Sequence, residues 1–95
     1  MKAKAELENL IEAFLSGALD IELFCLKYEQ AFNFDVNRDQ LSQLEDAIFR
    51  ALFDEVVVFS SFPKELATIQ IYRSEVQIRE AAQTAWQKLR NANSN

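Results

Sequence analysis

Two adjacent carboxylate pairs, Glu45/Asp46 and Asp54/Glu55, come nearest in this chain to the residue types and spacing of acid–base chemistry. A general acid and a general base must converge on one substrate. Neighbouring residues on a helix point about 100° apart, so each pair splits between two directions instead. The sequence holds no histidine, which removes the commonest general base and the commonest metal ligand together. One cysteine, Cys25, and one glycine, Gly17, leave no thiolate cluster and no phosphate-cradling loop. Nor does any stretch alternate acids with glycine as a calcium loop does. The expectation is a protein that is not an enzyme and uses no metal and no cofactor.

The carboxylates are better suited to holding a partner. Between Glu6 and Glu55 there are twelve acids against three bases, Lys27, Arg38 and Arg50, a net charge of −9. The remainder of the chain carries a net +4, giving −5 in all. So one-sided a potential repels nucleic acid and attracts a basic partner. Asp35, Asp39, Asp46, Asp54 and Glu55 are the acids expected along one edge, where Arg–carboxylate pairs give strength and geometry. Phe62 and Tyr72, which fall in expected loops, are the aromatic candidates for the same interface, whereas Phe49 and Phe53 read as core. Each acid also fits an ordinary solvated helix position, and Asp46–Arg50–Asp54 fits an i, i+4 ladder worth a few tenths of a kcal/mol.

The elements that must position these groups are helical. One Gly and one Pro in 95 residues are too few for the turns of a sheet protein, and 49% hydrophobic residues exclude a disordered chain. A compact all-α four-helix bundle in a single domain is expected, with helices at about 4–15, 20–32, 38–59 and 75–90 and a frayed tail at 91–95. Leu7, Leu10, Ile11, Phe14 and Leu15 make the buried stripe of the first helix, which Gly17 ends as a left-handed cap. Asp20 caps the second, whose buried face is Ile21, Phe24, Cys25, Tyr28 and Phe32; Leu23 and Leu26 lie off that face and imply a second neighbour or a partner.

Asn33–Arg38 reads as a loop, and Asn37 with Gln40 as a capping box for the third helix. That helix is expected to be central, with one stripe of Leu41, Leu44, Ile48, Leu52, Val56 and Phe59 beside another of Phe49, Phe53 and Val57, and an acidic outer edge. Its Val56–Phe59 end opens with three β-branched valines, for which a strand or frayed turn is the alternative to helix. Ser60–Lys64 reads as a turn at Pro63 and Glu65–Arg73 as partly extended. Ser74 and Gln77 form a second capping-box pattern, ahead of a last helix burying Val76, Ile78, Ala82, Ala85, Trp86 and Leu89. No secretory leader or bilayer-spanning run is read in the sequence, which leads to an expectation of a cytoplasmic protein without membrane contact.

The run LIEAFLSGALDIELFCLKYEQAF, with Phe14 before Ser16–Gly17 and Leu23–Phe24 after the short connection, resembles the colicin D immunity-like proteins. The later acid-then-Leu52–Phe53 pattern and the closing SEVQIREAAQTAWQKL add to the likeness, which spans Leu7 to Leu89. The resemblance implies a four-helix protein that binds a cognate nuclease toxin domain, usually tRNA-cleaving, and covers its basic cleft with acids in place of RNA phosphate. A 1:1 complex is then expected, with no direct contact to nucleic acid. Such proteins tend to carry further acids just after the Leu-Phe pair, where this chain has VVVFSSFPKE. Either Asp54 and Glu55 take that role or the binding surface has moved. The alternative is a structural or regulatory module, such as a homodimer burying Leu26, Phe49 and Phe53.

Overall fold

The computed structural model describes residues 2–35, 37–68 and 72–93. Its four long helices are α1 (Lys2–Leu15), α2 (Ile21–Gln30), α3 (Gln43–Val56) and α5 (Glu75–Asn93), with a short α4 (Pro63–Thr68) between the last two. α1 packs on α2 and α5, and α3 packs on the same two helices, so the four close into a ring around one core. The all-α bundle read from the sequence is therefore the observed architecture. Among the described residues the only β-pairing is an isolated parallel bridge between Phe59 and Arg73.

The helix ends follow local chemistry. Gly17 has φ 88°, the left-handed angle that only glycine adopts without a Cβ clash, and it turns the chain out of α1. Asp20 then caps α2, its Oδ1 accepting from the Leu23 N–H at 2.8 Å. The α-helix stops at Gln30, short of Phe32, and the chain continues as a π-type turn over Ala31–Asp35. Asn33 to Asp35 thus belong to a helical turn and not to a loop.

α3 begins later than the sequence pattern suggested. Asn37 Oδ1 accepts from the Asp39 N–H and its carbonyl from the Gln40 N–H, both within a 3-10 turn, Arg38–Gln40, that lies ahead of α3. The capping box is instead Ser42 with Glu45: the Glu45 N–H donates to Ser42 Oγ at 3.1 Å and the Ser42 N–H to Glu45 Oε1 at 2.9 Å. α3 also ends earlier, at Val56, since Val57 and Val58 form a turn and Phe59 enters the bridge to Arg73. Pro63, expected to mark a turn, opens α4, where a residue without an N–H is tolerated because that donor would be unpaired anyway. Glu65–Thr68 is accordingly helical, and Ile69–Ile71 lie outside the described residues. The Ser74/Gln77 box forms as expected, with the Ser74 N–H donating to Gln77 Oε1 at 2.9 Å. α5 runs past the expected end at 90, to Asn93.

The core joins Leu7, Ile11 and Phe14 of α1 to Phe24, Cys25 and Tyr28 of α2, Ile48, Phe49, Leu52 and Val56 of α3, and Ile78, Ala82, Ala85 and Leu89 of α5. Burying each large side chain contributes about 1.5–3 kcal/mol. A run of aromatic rings crosses it: Phe14 stacks on Phe24 at 4.3 Å, Phe24 meets Tyr28 at 5.5 Å, and Tyr28, Phe32 and Phe53 follow. Two of these rings carry an arginine, with Arg79 4.4 Å from the Phe14 ring centroid and Arg50 5.6 Å from that of Phe32. Arg79 also donates to the Phe14 carbonyl at 3.3 Å, which satisfies a terminal acceptor of α1.

Three expected core positions, Val76, Leu44 and Val57, are corrected. Val76 is 68% exposed, because the buried stripe of α5 is Ile78, Ala82, Ala85 and Leu89 and Val76 points away from it. Leu44 is exposed as well, in the first turn of α3. With Ala47, Ala51 and Val57 also outward, α3 is an amphipathic wall of the ring and not an enclosed central helix.

Candidate protein-binding surface

The acids proposed from sequence do not make one edge. Asp39 and Asp46 come together at the start of α3, lining a shallow groove of about 450 Å³ with Leu41, Ser42, Gln43 and Arg50. Asp39 is exposed there, while Asp46 is half-buried and receives the Arg50 guanidinium at 3.3 Å. Asp54 lies two turns further along α3, exposed and outside every ion pair among the described residues. The Asp35 side chain falls outside the described residues.

Glu55 is diverted from the edge. Both its oxygens accept from Arg73 Nε, at 3.3 and 3.2 Å, tying the end of α3 to the segment before α5. The same junction is held by backbone bonds from the Ser60 N–H to the Arg73 carbonyl and from the Arg73 N–H to the Val58 carbonyl. Glu55 is thus a structural pin. Tyr72, beside Arg73, is half-buried. Neither residue lines the Asp39/Asp46 groove.

Phe62 belongs to a separate feature. With Leu26 it flanks a pocket of about 410 Å³ between α2 and the loop leading into α4, also lined by Glu22, Cys25, Glu29, Phe59, Ser60, Ser61 and Glu65. Leu26 is 61% exposed and Phe62 65% exposed. Glu29 is half-buried, and that burial raises its carboxyl above the ordinary range. The Cys25 thiol on the pocket's inner side is pushed up to about 12, first by burial and then by the nearby Glu29 charge. Sequence reasoning did not place Glu22, Glu29 and Glu65 in the site. The usable signals were Phe62, an aromatic in an expected loop, and Leu26, off the core stripe of α2 and so in need of another neighbour.

A further groove, about 650 Å³, runs between α3 and α5 under small residues such as Ala47, Ala51, Ala81 and Ala85. Its lining holds one acid, Glu55, and one base, Lys88, and so has no charge preference. The homodimer expected to bury Leu26, Phe49 and Phe53 loses Phe49, which is fully buried in the protein's own core, while Phe53 packs half-buried against Phe32.

Among the described residues no group of three or more His, Cys, Asp or Glu is placed to hold a metal ion, and no helix is long and apolar enough to cross a membrane. What the surface does offer is charge. Glu6, Glu8, Glu12, Asp20, Glu22, Glu29, Asp39 and Asp54 join no ion pair among the described residues, whereas Lys4, Arg50, Arg73 and Arg79 are each held by an acid. The fold and its surface therefore define a small all-α protein with uncompensated carboxylates. No family model, curated protein or solved structure matches the chain.

Proposed function

We propose that the protein is an immunity protein that neutralises a cognate bacterial nuclease toxin by covering its basic active-site cleft with an acidic surface. The observation that carries this reading is the set of carboxylates in the first two-thirds of the chain that join no ion pair among the described residues, while Arg50, Arg73 and Arg79 are spent on internal contacts. Side chains free of internal partners are available to a Lys/Arg cleft without first breaking a bond, and they accelerate encounter with it. The resemblance to the colicin D immunity-like proteins supports the same reading. On this account the protein acts stoichiometrically in the cytoplasm, and its acids hold the toxin's cations in place of RNA phosphate.

Among the acids read from the sequence, Asp39 and Asp54 are the residues to alter, because Glu55 is committed to Arg73 and Asp46 to Arg50. The double variant Asp39→Lys/Asp54→Lys retains the fold and slows association with the nuclease domain by about tenfold at low ionic strength. Stopped-flow fluorescence against the C-terminal domain of the protein encoded immediately upstream reads this rate. An unchanged rate removes these residues from the binding surface.

A further inference from the structure

The geometry points to the pocket between α2 and the α4 entry as a docking site for a protein segment that presents a large apolar side chain between lysines or arginines. Two exposed hydrophobic side chains, Leu26 and Phe62, face it from different elements, and three carboxylates, Glu22, Glu29 and Glu65, share its lining with no base among them. An apolar anchor inside a charged rim is the arrangement in which binding energy concentrates.

The pocket is also preformed. Ser60, itself buried, donates from Oγ to Glu65 Oε1 at 2.5 Å and accepts from the Phe62 N–H at 3.1 Å. Its own N–H is fixed on the Arg73 carbonyl at 2.9 Å. Phe62 is therefore exposed on a pinned backbone, so little ordering remains to be done when a partner arrives. The rim decides the occupant. A second copy of the chain would bring the carboxylates of both pockets together, and an anionic lipid surface would meet the same repulsion. A cationic rim around an apolar plug satisfies both parts of the site.

This site is separate from the Asp39/Asp46 groove and does not depend on the partner's being a nuclease. The probe is a synthetic peptide with one tryptophan flanked on each side by two arginines, titrated into the full ¹⁵N-labelled chain. Chemical-shift changes are expected at Glu22, Leu26, Glu29 and Phe62. They should disappear with a peptide in which serine replaces the tryptophan. Leu26→Ser and Phe62→Ser, both surface changes whose folding is checked by circular dichroism, should weaken peptide binding by about tenfold or more. Glu22→Gln/Glu29→Gln should weaken it while leaving the apolar contacts in place.

Shifts confined to the α3 edge or the α3–α5 groove, equal binding of the serine peptide, or no binding at millimolar peptide would each overturn the assignment. So would self-association of the free chain in sedimentation that Leu26→Ser abolishes, because the occupant would then be a second copy. Failure of the nuclease reading leaves the peptide result standing, and loss of the peptide result leaves the nuclease reading to its own test.

Discussion

Cys25 and Glu29 sit one turn apart on α2, and burial favours the protonated form of each. Burial leaves the Cys25 thiol protonated at physiological pH, its pKa pushed up to about 12, so it behaves as a small apolar group. A thiol reagent at pH 8 should label the native protein only at the rate of unfolding, and rapid labelling would contradict the packing. Glu29 is an acid whose folded pKa is raised by burial, so folding favours its neutral form. That contribution is fully present below the unfolded pKa and is lost as pH rises through the folded value. Glu29→Gln is therefore expected to raise the thermal midpoint at pH 7 and to leave it nearly unchanged at pH 3, as scanning calorimetry would show. Tyr28 also titrates far above its usual range because it is buried, and its hydroxyl donates to the Phe49 carbonyl at 2.9 Å. Tyr28→Phe should cost about 1 kcal/mol of unfolding free energy in urea.

At the level of helices, most stripes were legible in the sequence, since Leu7, Ile11 and Phe14 or Phe24, Cys25 and Tyr28 can share a face only at helical spacing. Ends were harder, because several residues near a boundary had suitable chemistry. Asn37/Gln40 and Ser42/Glu45 both fit a capping box, and only the second pair meets the first free amides of α3. Pro63 is compatible with a turn and with the first position of a helix, a choice made by how the chain is held at Ser60. The candidate site was less legible still. Sequence spacing ordered Asp46 and Asp54 along α3, but the diversion of Glu55 to Arg73, 18 residues away, and the meeting of Leu26 with Phe62 are tertiary facts.

The cap and the turn yield stability predictions. Ser42→Ala should lower stability by about 1 kcal/mol. Glu45 is held below its usual range, first by the Ser42 N–H and, against a smaller cost of burial, by Lys4 at 3.2 Å. Its contribution is present above the unfolded pKa and lost as pH falls through the folded one. Glu45→Gln should thus be less stable than the parent at pH 7 and comparable at pH 3. Gly17→Ala meets no atom within 4 Å, so its expected loss of about 1–2 kcal/mol measures the left-handed backbone alone.

Taken whole, the molecule is a ring of four helices whose aromatic run links α1 through α2 to α3. Phe14 stands at one end of that run under Arg79, and Phe14→Ala should cost about 3–5 kcal/mol in chemical denaturation. Against a total of about 5–15 kcal/mol for a small domain, that leaves a marginal fold. Charge is distributed differently from packing. The acids of the first two-thirds lie mostly outside ion pairs, so their field reaches solvent and falls off with salt over about 8–10 Å. Binding to a basic cleft should accordingly weaken as salt rises, chiefly through the association rate. The most direct measurement is tRNA cleavage by the C-terminal domain of the protein encoded immediately upstream, with this chain added at equal concentration. The account predicts that cleavage stops at a 1:1 ratio and returns on adding excess nuclease domain. Undiminished cleavage at equimolar chain, or an upstream protein with no nuclease activity, would contradict it.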